Sequence, residues 1–241
     1  MKHKLSLIFL LPLISLTHVA YAEESGLSGD IGLAITSTQA IVTGVKNDLG
    51  AMPYLNFEYG RAFARVDSLG VKVLPFGYGN LEVLGQYRAD GYHSSVVSSR
   101  QGSIPLGLGT LQITPIGAFD VHALHDFGKS GGDIVQARYL AEIPFGRTKA
   151  YPELGVEYES SAYTGYYYGT TASDAVTLGR GYTPGAAVNT FAGLLLKTQI
   201  SGNWYATTYF RCTWLDSRIS GSPIVTRGVQ KSLMFSVLYQ F

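Results

Sequence analysis

The C-terminal run Lys231-Ser-Leu-Met-Phe-Ser-Val-Leu-Tyr-Gln-Phe241 constrains the fold more than any other segment. Leu233, Phe235, Val237, Tyr239 and Phe241 recur at every second position, separated by Ser232, Met234, Ser236, Leu238 and Gln240. Successive side chains of a strand point to opposite faces, so one face here is continuously apolar and the other mixed. A soluble domain ending on such an edge would invite aggregation. A closed transmembrane barrel needs strands of this kind, with lipid outside and a polar lumen inside. The half-buried last strand of a soluble sandwich is the alternative that periodicity alone leaves open.

The start of the chain argues against that alternative. Lys2 and Lys4 precede the apolar run Leu5 to Leu16, and Ala20-Tyr21-Ala22 offers a small-x-small cleavage site. This is the pattern of a secretory signal peptide over residues 1–22, too short for a membrane span. Glu23 rather than cysteine follows the site, so no lipid-anchored product is expected. Cleavage leaves 23–241 as one domain and takes the formal net charge from +1 to about −1, with no nucleic-acid footprint. Cys212 is the only cysteine, so export brings no disulfide framework. No later segment approaches eighteen consecutive apolar residues, which excludes helical spans. A bilayer admits only helices or closed barrels. The expectation is an all-β chain: a single antiparallel barrel in the outer membrane of a Gram-negative bacterium, bounded by lipid.

The same alternation recurs upstream. Leu81, Val83, Gly85 and Tyr87 alternate with Glu82, Leu84, Gln86 and Arg88; Val135, Ala137, Tyr139 and Ala141 alternate with Gln136, Arg138, Leu140 and Glu142. Trp204 and Trp214 fall on one face of a third segment, ten residues apart. At ~3.3 Å per residue and ~45° of tilt they stand ~24 Å apart along the membrane normal, matching an aromatic girdle at each interface. Cys212 then faces lipid as a small filler. Pro152, without an N–H, predicts a bulge or strand end. Gly60-Arg61, Pro144 to Arg147 and Ser201 to Asn203 read as short periplasmic turns. Thr36 to Met52, His122 to Gly132, Ser160 to Tyr182 and Asp216 to Arg227 read as long external loops. Counting by that parity gives ten strands, near 27–36, 52–60, 61–75, 79–90, 108–121, 132–143, 148–160, 184–200, 203–216 and 228–241. A switch of apolar parity around Ser68-Leu69-Gly70 signals a bulge or a turn, the latter raising the count toward twelve. Gly91 to Gly107 is long for the periplasmic turn this parity makes it.

Chemistry has few places to hide. His122, His125 and Asp126, with Asp120 nearby, form the one cluster of suitable types. Residues three apart on a strand face opposite ways, which suits neither a metal site nor a dyad. Glu153 and Glu157 share a face as a glycosidase pair would, but acids inside a barrel are more often structural. No catalytic, metal or cofactor site is assigned. Lumenal charges are mixed: Glu58, Asp67, Glu82, Glu142, Glu153 and Glu157 against Arg61, Arg65, Lys72, Arg88, Arg138 and Arg211. A pore selective for one ion sign would carry one kind of charge, so a lattice of ion pairs and tyrosine hydroxyls is expected instead. Tyr166 to Gly169 reads as an aromatic cluster anchoring its loop at the headgroup level, and Gly221 to Val225 as a turn tucked over the barrel mouth.

Tyr167-Tyr168-Gly169, then Gly181-Tyr182-Thr183-Pro184-Gly185-Ala186, then Ser222-Pro223-Ile224-Val225, then the terminal Leu-Tyr-Gln-Phe, resemble the MipA/OmpV family of outer-membrane proteins in order and spacing. Leu106-Gly107-Leu108-Gly109 is similar to its glycine-rich middle segment. Gly221 replaces an expected acid and Thr170 an expected aliphatic residue. The family is known as MltA-interacting protein. The resemblance implies a scaffold that brings a lytic transglycosylase together with a bifunctional penicillin-binding protein in cell-wall remodelling, without catalytic residues or cofactors. Other relatives are described as adhesins or antigens, and a narrow pore for small solutes is a further reading. Phe235, Val237, Tyr239 and Phe241 are the expected insertion signal for the barrel assembly machinery.

Overall fold

The computed structural model describes residues 26–241. The signal-peptide expectation for residues 1–22 lies outside them. Strands β1 (Leu27–Thr38), β2 (Asp48–Tyr59), β3 (Ala62–Arg65), β4 (Ser68–Phe76) and β5 (Gly79–Gln86) form the first part of the wall. β6 (Leu106–Thr114), β7 (Gly117–His125), β8 (Asp133–Leu140), β9 (Ile143–Phe145) and β10 (Thr148–Glu159) continue it. β11 (Ala187–Ser201), β12 (Trp204–Trp214) and β13 (Val229–Gln240) complete it, and β13 pairs with β1 to close the ring. Every pairing is antiparallel and joins neighbours around the ring, so closure leaves edges only where β3 stops short and along the three residues of β9. Both β8 and β9 pair with β10 and act as one interrupted strand, which makes a wall of twelve positions.

Pro152 explains that interruption. Glu153 pairs with Leu140 and Ala150 with Ile143, so ladder pairing lapses opposite Tyr151 and Pro152 without a change of register. Proline has no N–H to give the ladder. The expected irregularity therefore lies on the partner strand, while β10 itself runs straight through.

Twelve positions replace the ten expected because two tight turns sit inside segments read as single strands. Val66-Asp67 splits 61–75 into β3 and β4, and Pro115-Ile116 splits 108–121 into β6 and β7. Each added turn reverses the parity, and between them the reversal moves Gly91–Gly107 from the short-turn end to the long-loop end. The five turns at the short end are Gly60-Arg61, Gly77-Tyr78, Pro115-Ile116, Gly146-Arg147 and Gly202-Asn203. Four of them put a glycine in the left-handed region, where a Cβ would be strained. That end is periplasmic and the long loops are external by the usual asymmetry of outer-membrane barrels.

The outer face is apolar in every strand. Leu33, Ile35, Val83, Leu108, Leu154, Phe210 and Phe235 are exposed there, as lipid-facing side chains must be. Trp204 and Trp214 stand on that face at opposite ends of β12, and Phe235, Val237 and Tyr239 share it on β13. Lumen-facing positions hold two small apolar clusters, Phe63 with Leu84 and Leu124, and Ala34 with Tyr54 and Leu238.

Candidate functional site

Between those clusters the lumen is tied by charge. Arg65 grips Glu82 through two 2.7 Å bonds, and Lys72 donates to Glu58 at 2.5 Å. Arg138 holds Asp120 at 2.6 Å, and Lys197 reaches across to Asp30 at 2.7 and 2.8 Å. Arg88 grips Glu157 at 2.7 and 2.9 Å, and Gln136 donates to the same carboxylate at 2.8 Å. Tyr209 donates to Glu153. Bidentate pairs of this kind are the strong charge-assisted ones. They hold Glu153 and Glu157 in wall contacts rather than facing each other across a substrate gap.

The histidines diverge as strand geometry requires. His122 points inward, its Nε2 2.7 Å from Asp120, whereas His125 lies on the outer rim with Nδ1 2.7 Å from Asp133. Asp126 instead accepts from the backbone N–H groups of Gly128, Lys129 and Ser130. Among the described residues no group of three or more His, Cys, Asp or Glu could hold a metal.

The most elaborate structure is a cap over the external mouth, of which the sequence foreshadowed only the turn at Gly221–Val225. It contains α1 (Ser161–Tyr168), α2 (Ala172–Leu178) and α3 (Ser217–Ser220). Its core gathers Ile41, Val42, Tyr92, Val97, Tyr163, Tyr167, Tyr168, Ile219 and Ile224 from four loops. Tyr163 and Tyr167 are 0% exposed. The tyrosine cluster is thus the cap's core and not a headgroup anchor, because its partners lie in loops far away in sequence. The Tyr92 hydroxyl donates to the Tyr167 carbonyl at 3.0 Å, and Tyr167 donates to that of Gln101 at 3.1 Å. Burial pushes both phenols up to about 12.

Three of the segments that carry the family resemblance meet in this cap, whereas Leu106–Gly109 lies on β6 and the terminal Leu-Tyr-Gln-Phe on and just beyond β13. Ser222 Oγ donates to the Tyr168 carbonyl at 2.6 Å. Ile224 is 0% exposed, and Val225 bridges to Val42. Tyr182 donates to the Arg218 carbonyl at 2.9 Å, Pro184 is buried, and the Gly185 carbonyl accepts from Thr164 at 2.9 Å. Gly169 closes α1 so tightly that a Cβ would stand 2.3 Å from the Gly165 carbonyl oxygen. The turn at Gly221–Val225 does fold over the mouth, and Pro223 is half-buried in it. A side chain at Gly221 would meet the Ser217 carbonyl oxygen at 2.7 Å, and Thr170 accepts from Tyr182 N–H at 2.7 Å. Both departures from the family pattern are therefore accommodated locally.

One set of bonds fastens the cap to the wall, and another ties two of its loops together. The Tyr163 hydroxyl donates to Asp90 at 2.6 Å, Asp90 accepts from Arg88 at 3.0 Å, and Arg88 grips Glu157 of β10. Asp174 fixes α2: it forms a capping box with Thr171 and accepts from Ser98 N–H and Oγ at 2.7 and 2.9 Å. Burial acts to raise that carboxyl, but the bonds from Thr171 and Ser98 outweigh it and hold it at about 2.

Against known proteins, the family model of MltA-interacting protein MipA matches residues 31–241. Outer membrane protein OmpV of Vibrio cholerae is 27% identical over 232 residues, covering 92% of this chain and 89% of its own length. Outer membrane protein Omp26La of Vibrio anguillarum is 27% identical over 198 residues, 78% and 77% of the two chains. MltA-interacting protein of Escherichia coli is 23% identical over 147 residues, 60% and 59%. The chain is thus similar to named outer-membrane proteins, and it forms an outer-membrane barrel.

Proposed function

The chain belongs to the MltA-interacting protein family, and from that premise we propose that it is a non-catalytic outer-membrane scaffold. It docks a periplasmic lytic transglycosylase and, through the same assembly, a bifunctional penicillin-binding protein. The observation that carries this reading is the family match over residues 31–241, together with a relative named for its interaction with MltA. A lumen committed to ion pairs supports a scaffold over a conducting pore. With Gly91–Gly107 at the external end, docking falls to the periplasmic turns, where Tyr78, Ile116 and Phe145 are exposed beside Arg147. The same reading takes residues 1–22 as a removed export signal and the last strand as the feature met by the barrel assembly machinery.

The test is retention. The barrel in lipid nanodiscs, fixed to a column, should hold back a purified lytic transglycosylase, and Tyr78→Ser with Ile116→Ser should release it. Passage of both cell-wall enzymes through the unaltered column would refute the docking role.

The cap favours a second reading, an external contact role as adhesin or antigen. Three of the segments that resemble the family cluster at the external end, and α2 presents Val176 at 85% exposure. Loss of cell adhesion in Val176→Asp with unchanged enzyme retention would favour this reading over the first.

A further inference from the structure

Besides the lapse opposite Pro152, the barrel wall is open beside β3. β3 has only four residues and pairs with Asn56–Tyr59, leaving the upper part of β2 unpaired on the side away from β1. Gly29 exchanges both backbone bonds with Phe241, so the even-numbered residues of β1 bond β2, and the register makes those of β2 even-numbered too. The odd-numbered residues of β2 therefore turn their polar groups toward β3. The Leu55 carbonyl accepts from Val66 N–H at 2.6 Å. Above it Leu49, Ala51 and Pro53 face a gap, with no strand partner among the described residues. Pro53 has no N–H to leave unpaired, as suits an open edge.

The gap is framed on all sides. Val66-Asp67 forms its sill, and Tyr87 bonds to the Asp67 carbonyl at 2.7 Å on the far side. Overhead, Ser94 Oγ donates to the Thr43 carbonyl at 2.7 Å and Ser95 N–H to that of Gly44 at 3.2 Å. With ~3.3 Å per residue and ~45° of tilt, Pro53 to Leu49 lie ~14 to ~23 Å above Tyr59, in the outer half of a ~25 Å apolar band. Unpaired backbone at that depth is tolerated only where it is buried in protein or lines a water-filled cavity.

The frame is apolar: Leu49, Leu69, Tyr87 and Val96 are exposed around it. Behind it Met52, Tyr54 and Val66 pack with Ala34, Met234 and Leu238, an apolar lane in a lumen that elsewhere carries ion pairs and one other small apolar cluster. Asp67, exposed on the sill, adds a polar edge. Val66 holds φ +49, the one positive value at a non-glycine among the described residues. A β-branched residue is strained there, and such strain tends to gather at functional positions.

We propose that this opening is a lateral portal through which an acyl chain of an outer-leaflet lipid enters the lumenal apolar lane. Met52 and Met234 are unbranched and adaptable enough to make room for it. A second copy cannot fill the gap by strand pairing. Copies inserted in one orientation are related by an axis along the membrane normal, which sets β2 against β2 with the same polarity and opposed tilts.

A palmitate analogue with a diazirine at its chain end, irradiated with the full barrel in phospholipid vesicles, tests this by peptide mapping. Adducts are expected on Met52, Tyr54 and Met234 as well as on outward residues such as Leu69. Met234→Trp fills the lane and should remove the interior adducts alone; Ala34→Leu serves if that variant does not fold. Adducts confined to outward residues of a folded barrel would overturn the portal. Interior adducts that persist in the filled variant would overturn the lane. A co-purified peptide that protects the β2 edge from hydrogen exchange would replace the lipid by an added strand.

Discussion

Arginine scanned along the outer face of β12 should report the depth of each position. Phe210 is six residues from Trp204 and four from Trp214, with Leu194 and Leu233 beside it on the neighbouring strands. At ~2.3 Å of height per residue it stands ~14 Å from the periplasmic girdle and ~9 Å from the external one, close to the bilayer midplane. Neither lateral neighbour can pair with a guanidinium, so Phe210→Arg should cost ~2–4 kcal/mol. Thr208→Arg should cost about as much, whereas Trp204→Arg and Trp214→Arg lose packing but only ~0–1 kcal/mol to charge burial. Equilibrium unfolding in guanidinium from lipid vesicles, followed by circular dichroism, would yield the series. A cost that peaks between the tryptophans fits the assigned band. A flat series, or one that peaks at Trp214, would refute the depth assignment and the tilt behind it.

Two further perturbations probe the cap. Arg88→Met leaves Glu157 buried without its bidentate partner and should cost ~3–5 kcal/mol, while Arg88→Met with Glu157→Leu should recover most of it; thermal unfolding in detergent checks both. The Asp174 carboxyl is held below its ordinary value, so its contribution to the cap is complete above about pH 4 and lost as pH falls toward 2. Hydrogen exchange over Ser98 and α2 should therefore accelerate between pH 4 and pH 2.5, by on the order of 1–2 kcal/mol of local stability, and Asp174→Ala should show that acceleration at neutral pH.

The wall was largely legible because the pattern it depends on is local. Alternation on β13, the spacing of Trp204 and Trp214, and the mixed charges of the lumen follow from neighbours two residues apart. The two turns that the ten-strand count leaves out differ in their signals. Pro115-Ile116-Gly117 carries ordinary turn chemistry, and Gly117 adopts φ +135, so its proline and glycine mark the turn in the sequence itself. Val66-Asp67 carries no proline or glycine, and left-handed backbone disfavours valine; its signal is the switch of apolar parity at Ser68-Leu69-Gly70, which a bulge or a turn would both produce. The cap's packing was illegible for another reason. Tyr163, Tyr167 and Ile224 are buried by one another across tens of residues, and no periodicity within a single loop encodes that contact.

Surface labelling at the two ends of the barrel tests the central claim most directly. In a Cys212→Ser background, Val176→Cys in α2 and Tyr78→Cys in a short turn present exposed thiols at opposite ends. A membrane-impermeant maleimide should label Val176→Cys on intact cells and reach Tyr78→Cys only after the outer membrane is opened. The reverse pattern, or equal labelling of both on intact cells, would contradict a capped barrel that spans the membrane with its long loops outside.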